Sequence, residues 1–176
     1  MKLILGSKSP RRQQLLQEMG FSFEVRVKDT DESYPDDLQP EEIAMYISTQ
    51  KAKALQGELQ SNELLLTADT IVCVDTHILG KPKDENEAMK MLQQLSGKKH
   101  KVITGVSITD SEKITTDYCV TTVYVKQLTL EEITTYIKNC QPFDKAGSYG
   151  IQEWLGMAKI SKINGSFYTI MGLPTH

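Results

Sequence analysis

Helix and strand signals alternate along this chain without internal repeats or low-complexity stretches, which predicts a mixed α/β (α+β) fold. Two segments support that class. Leu3-Ile4-Leu5 is an apolar, strand-like run that gives way through Gly6-Ser7-Lys8-Ser9 to Pro10 and an amphipathic helix. Leu64 to Val74 is a continuous apolar stretch of the kind found in a central strand covered on both faces. With 176 residues, 39% of them apolar, the chain can form one compact domain or two small lobes that share a sheet.

The elements follow in order. Ser9 suits the N-cap of the first helix and Pro10 its first position, and Leu15, Leu16 and Met19 make an apolar face that ends at Gly20. Phe21 to Val27 alternates as a strand does, and the acidic, turn-rich segment from Lys28 to Gln39 reads as a loop. Pro40 opens a second helix, with Ile43, Ile47, Ala54 and Leu55 at roughly helical spacing, Lys51 and Lys53 within it and Gly57 near its end. After the apolar stretch, Asp75-Thr76-His77 is a turn and Ile78-Leu79 returns toward Gly80-Lys81-Pro82. Asp84 and Glu87 stand in capping-box spacing before a helix with Ala88, Met91, Leu92 and Leu95 on its apolar face, closed by Gly97. Val102 to Thr109 and Ile114 to Val125 read as strands, and Thr129 with Glu132 caps a helix through Ile133, Tyr136 and Ile137. Residues 144–153 are loop-like, with Gly147 and Gly150 permitting close backbone approach to a ligand.

Composition narrows the function. A formal net charge of -3 argues against broad nucleic-acid binding, which needs a basic face to neutralise many phosphates, so any anion site must be local. Cys73, Cys119 and Cys140 are odd in number and widely spaced, so neither a disulfide framework nor a zinc site is expected and a reducing cytoplasm fits best. The opening residues lack a signal-peptide pattern, and no apolar run approaches the roughly 20 residues needed to span a bilayer, so no membrane partner is expected. His77, His100 and His176 read as solvated residues of a turn, a Lys-rich loop and the terminus.

A few charges stand where charge needs a reason. Arg11 and Arg12 fall in the first turn of a helix, where cations oppose the dipole unless an anion sits beside the unpaired backbone N–H groups. A strand, a small-residue loop, a helix N-terminus and two guanidiniums suit a polyphosphate; the competing reading is a helix start with two solvated arginines. Asp69 interrupts the apolar run, and a bare carboxylate buried there would lose several kcal/mol of solvation, so it is paired, coordinated or catalytic. The plain alternative is an Asp bonded to nearby amides or to Thr70. Glu32 belongs to an acidic loop and becomes a metal ligand only if folding brings it to Asp69. Lys51 is otherwise a surface residue and Lys81 a loop residue.

Taken together, S-K-S-P-R-R at residues 7–12, A-D-T-I-V at 68–72, L-G-K-P at 79–82 and K-A-G-S-Y-G-I-Q at 145–152 make the chain resemble the Maf family of nucleoside triphosphate pyrophosphatases over nearly its whole length. Pro10-Arg11-Arg12 and Gly150-Ile151-Gln152 resemble the branch that acts on dTTP and UTP, not the one that acts on 7-methyl-GTP. The resemblance implies one domain over residues 1–176: an elongated mixed sheet flanked by helices, with two lobes and a cleft, similar to the inosine triphosphate pyrophosphatases. It implies that Ser7, Arg11, Arg12, Lys51 and Lys81 surround the triphosphate and that Asp69 accepts a proton. Arg11, Thr70 and Gln152 become the positions linked to base specificity, and Glu32 helps hold a divalent metal.

The implied reaction is hydrolysis between the α- and β-phosphates to a nucleoside monophosphate and pyrophosphate. Mg²⁺ or Mn²⁺ is the expected ion, because Glu32 and Asp69 offer hard oxygen ligands and substrate phosphates can complete the shell. Whether Asp69 acts as base or as metal ligand stays open. Gln152 carries an amide donor and a carbonyl acceptor that suit the O4 and N3–H edge of uracil or thymine. Two other accounts compete: a nucleotide-binding regulator of septum formation, disfavoured by the intact Asp69, Lys51 and Lys81, and a nucleic-acid module, disfavoured by the acidic balance. The resemblance also implies a further helix past Gly172-Leu173-Pro174, whose loss is expected to weaken lobe packing or the contact of a homodimer.

Overall fold

A computed structural model of the chain describes residues 1–176, with seven strands and six α-helices interspersed along it. In order they are β1 (Lys2–Leu5), α1 (Pro10–Glu18), β2 (Phe23–Val25), α2 (Pro40–Gln56), β3 (Glu63–Val74), β4 (His77–Leu79) and α3 (Glu85–Leu95). There follow β5 (Lys99–Thr109), β6 (Ile114–Val125), α4 (Leu130–Cys140), α5 (Trp154–Lys159), β7 (Ile160–Asn164) and α6 (Phe167–Met171). The strands form one mixed sheet in the order β2-β1-β3-β5-β6-β7, with β4 paired to β3. β1 runs parallel to β2 and β3, whereas β3–β4 and β6–β7 are antiparallel. Contacts divide the chain into two compact units, one of residues 1–70, 104–119 and 172–176 and one of residues 71–103 and 120–171.

In the first unit, β1, α1 and β2 make the crossover that two parallel strands require. Ser9 caps α1 through its side chain, which accepts from the Arg12 N–H at 3.5 Å, and Pro10 is the first helical residue. Leu15 and Leu16 are buried as expected, but Met19 lies past the last turn and is 46% exposed. β2 is shorter than the alternation of residues 21–27 predicts. Its partner β1 has only four residues, and pairing ends at Leu5↔Val25.

Helix α2 sits very close to the sheet. A Cβ at Gly105 would lie 2.3 Å from the Ala44 carbonyl oxygen, so only glycine allows this approach. Hydroxyls fasten the same helix: Thr67 Oγ1 donates to the Ser48 carbonyl at 2.8 Å, and Ser48 Oγ meets Ser107 Oγ at 3.1 Å. Lys51 is three residues beyond Ser48, one turn along the same face. Ile4, Ala52, Leu55 and Leu65 fill the core beneath it.

The second unit has the larger apolar core, in which Val72, Leu92, Leu95, Ile133, Tyr136 and Leu155 meet. Both predicted caps are present, with Asp84 Oδ1 accepting from the Glu87 N–H at 2.8 Å and Thr129 Oγ1 from the Glu132 N–H at 3.2 Å. His100 corrects the solvated reading. It lies in β5, where strand alternation turns Lys99 and Lys101 outward and His100 inward, to 2% exposure against Tyr149. Residues 154–171, which carry α5, β7 and α6, gave no expectation at the sequence level.

Candidate functional site

Two clusters of predicted site residues form within the first unit. In one, the Lys51 ammonium lies between two carboxylates, 2.6 Å from Asp69 Oδ1 and 2.8 Å from Glu32 Oε1. Asp69 and Lys51 are mostly shielded, with side chains 13% and 17% exposed, whereas that of Glu32 is 51% exposed. The acidic loop therefore contributes one specific residue rather than a general negative field. The Lys51 bridge also explains how an acid is tolerated in an apolar strand: the ammonium compensates the charge that burial would otherwise penalise.

In the other cluster Arg12 ties three distant segments together. It is 9% exposed and donates from Nε to the Gly172 carbonyl at 2.7 Å, from Nη1 to Ser7 Oγ at 3.1 Å and from Nη2 to Thr70 Oγ1 at 3.1 Å. Thr70 Oγ1 also meets Thr104 Oγ1 at 2.9 Å. Burial lowers the guanidinium's pKa from its ordinary value, and the Asp69 carboxylate is the strongest opposing influence. Arg12 is thus a strut as well as a cation, because three of its donors are already committed to protein oxygens. Arg11, one residue earlier in the first turn of α1, is half-buried.

The remaining two predicted residues belong to the second unit. Lys81 is exposed in the β4–α3 loop, and Gln152 is exposed in the turn that precedes α5. Gln152 lines a cavity of about 460 Å³ together with Ile151, Met157, Lys162 and Phe167. Gly150 does make a close approach, but its neighbour is protein: a Cβ there would meet the Glu153 carboxyl carbon at 2.7 Å.

No group of three or more His, Cys, Asp or Glu side chains converges to cage a metal. The donor set nevertheless fits a hard divalent ion. Glu32 and Asp69 direct oxygens at one cationic point, now the Lys51 ammonium, and Mg²⁺ characteristically takes one or two carboxylates with substrate phosphates completing its shell. Sequence reasoning missed Lys145, which is 8% exposed and bridges Asp144 and Glu153, and placed Tyr136 on its helix without the hydrogen bond that its hydroxyl makes to Glu153. A lysine in a glycine-rich loop carries no signal of burial until the loop folds.

These features define an α/β protein with an arginine-bearing helix N-terminus, a strand carboxylate and a lysine that bridges it to an acidic loop. The Maf-like protein family model matches residues 2–176, and the chain belongs to that family. Similar curated relatives include the dTTP/UTP pyrophosphatase of Porphyromonas gingivalis, 47% identical over 99% of this chain and 89% of its own length. Those of Flavobacterium johnsoniae and Bacteroides thetaiotaomicron, each covered over 90% of its length, are 45% and 48% identical over 99% and 98% of this chain. Among solved structures, the Staphylococcus aureus Ham1 protein aligns with a TM-score of 0.48 and 14% identity, over 71% of this chain and 72% of that one. No helix is long and apolar enough to cross a membrane.

Proposed function

We propose that this protein hydrolyses nucleoside triphosphates, dTTP and UTP above all, between the α- and β-phosphates. The observation that carries the proposal is the Glu32–Lys51–Asp69 bridge, in a chain nearly half identical to relatives named dTTP/UTP pyrophosphatase. A bridge of this kind costs solvation on three charged groups, and a polyphosphate substrate gives that arrangement a use.

In the reaction a water oxygen bonds to the α-phosphorus, the bond from that phosphorus to the α–β bridging oxygen breaks, and pyrophosphate leaves with that bond's electron pair. Asp69 takes the water's proton. Substrate phosphate oxygens give the Lys51 ammonium further anionic partners beside the two carboxylates it already bridges. Ser7 and the backbone N–H of Arg11 in the first turn of α1 donate to phosphate oxygens, and Arg11, Lys51 and Lys81 neutralise the charge that accumulates there. Arg12 contributes its charge while holding Ser7 and Thr70 in register. Glu32 and Asp69 would hold Mg²⁺ or Mn²⁺, which when bound polarises phosphoryl oxygens and lowers the pKa of coordinated water. Gln152 reads the O4 and N3–H edge of uracil or thymine through its amide, with Arg11 and Thr70 as the other positions that influence base choice. The setting is a reducing cytoplasm, in keeping with three free cysteines.

Product identity tests the cleavage position. UTP should yield UMP and pyrophosphate in equal amounts; UDP and inorganic phosphate would contradict the proposal.

A further inference from the structure

Gln152 can read a base edge only if its stem is fixed, because its amide rotates freely about the side-chain bonds. The fixing device lies one residue further on, in a buried ionic cluster to which none of the reaction's steps assigns a role. Lys145 is 8% exposed, and its ammonium meets Glu153 Oε1 at 3.0 Å and Asp144 Oδ1 at 2.6 Å. The second carboxyl oxygen of Glu153 accepts a short hydrogen bond from the Tyr136 hydroxyl. Tyr136 is 2% exposed on α4, and its hydroxyl also accepts from the Gly150 N–H at 3.0 Å. The turn then closes on itself, since the Glu153 N–H donates to the Gly150 carbonyl at 3.1 Å.

Both ends of the Gly150–Glu153 turn are therefore anchored to one buried phenol, and the anchoring carboxylate is held by a buried lysine. Burial raises the Tyr136 phenol's pKa and the Glu153 hydrogen bond raises it further, so the hydroxyl keeps its proton and serves as the donor. A Cβ at Gly150 would lie 2.7 Å from the Glu153 carboxyl carbon, so a side chain there would displace that carboxyl from its partners. Ile151 and Gln152 both line the cavity, but Ile151 is 5% exposed and apolar, so Gln152 is the exposed polar residue that the turn presents there. Such an assembly is more than the turn needs merely to fold, and it suits a residue whose geometry must be reproducible.

We propose that Glu153, held by Lys145 and Tyr136, is a positioning residue that orients Gln152 and thereby sets the preference for uracil and thymine over cytosine. This rests on the reading of Gln152 as the base-reading group. The test compares the full chain with Glu153→Ala, Tyr136→Phe, Gln152→Ala and the Glu153→Ala/Gln152→Ala double variant. Turnover of UTP and CTP is measured, and so is binding of UMP and CMP, which needs no catalysis. Glu153→Ala should lower the UTP-to-CTP ratio of kcat/KM about tenfold, mainly through KM for UTP, and Tyr136→Phe, which preserves the ring and core volume, about threefold. On the Gln152→Ala background, Glu153→Ala should change that ratio no further, since a residue acting through another has nothing left to orient.

A wild-type UTP-to-CTP ratio in folded Glu153→Ala and Tyr136→Phe overturns the proposal, as does an equal added loss of discrimination on the Gln152→Ala background. Should Glu153→Ala not fold, Tyr136→Phe decides alone. If the wild type releases no pyrophosphate yet binds UMP over CMP, the hydrolase reading fails while the binding ratios still decide this one. A wild type that prefers neither base overturns the positioning role together with the base-reading role of Gln152.

Discussion

Asp69 and Arg12 are both shielded charges, Asp69 held by an ammonium and Arg12 by neutral protein oxygens. Asp69 keeps its charge in a strand because Lys51 meets it at 2.6 Å, and the same ammonium reaches Glu32. Asp69→Asn preserves shape and leaves Lys51 paired with Glu32, so the fold should persist while turnover drops by about 10²–10⁴-fold, the usual contribution of a positioned general base. Pyrophosphate release together with an unchanged melting temperature would check both halves of that expectation. Arg12→Ala should instead destabilise the fold by about 3 kcal/mol, because the Gly172 carbonyl, Ser7 and Thr70 lose a charged donor in a buried place. Denaturant unfolding measures that loss. The unusual position of Asp69 was legible in the sequence from its apolar neighbours alone. The strut role of Arg12 was not, because its Gly172 partner is 160 residues away and meets it only in the folded chain.

At the scale of elements, helix ends were the most readable features, since a cap requires specific residues at fixed local spacing. Asp84 with Glu87 and Thr129 with Glu132 predicted the starts of α3 and α4, and those caps are present. Strand β2 was overestimated because its length is set by β1, a partner that its own alternation does not contain. Helix α5, β7 and α6 are short, and packing within the second unit rather than a periodic pattern defines them.

The inward turn of His100 has a consequence for pH. Burial lowers its pKa from 6.5 to about 4, and Nδ1 has no hydrogen-bond partner while Nε2 meets Tyr149 at 2.7 Å. The unfolded chain therefore binds this proton more readily than the folded one. Stability is full above pH 6.5, and this group removes about 3 kcal/mol of it as pH falls to about 4. Chemical unfolding at pH 7.5 and 4.5 should show the decline, and His100→Phe should flatten it. At Gly150, replacement by Ala pushes against the Glu153 carboxyl and should lower stability by about 1–3 kcal/mol, with some loss of base discrimination.

For the whole molecule, an acidic chain must attract a highly charged anion locally rather than through its overall field. The net charge of -3 coexists with the cations Arg11, Arg12, Lys51 and Lys81. Substrate binding should therefore be less salt-sensitive than that of a protein with a broad basic face. Family membership, by contrast, was legible early, since separated motifs in a fixed order identify a family more sharply than any single residue can. The division of site residues between two compact units was less so, because β3, β5 and β6 each contribute residues to both and no boundary in composition marks the change.

Pyrophosphate release from UTP, dTTP, CTP, GTP and 7-methyl-GTP, each with Mg²⁺, with Mn²⁺ and with a chelator, tests the hydrolase and its base preference most directly. Release should be fastest with UTP and dTTP, should need the divalent ion and should stop on chelation. Release that is indifferent to the base, or unchanged by the chelator, would contradict the assigned roles of Gln152 or of Glu32 and Asp69 respectively; no release from any nucleotide would contradict the hydrolase itself.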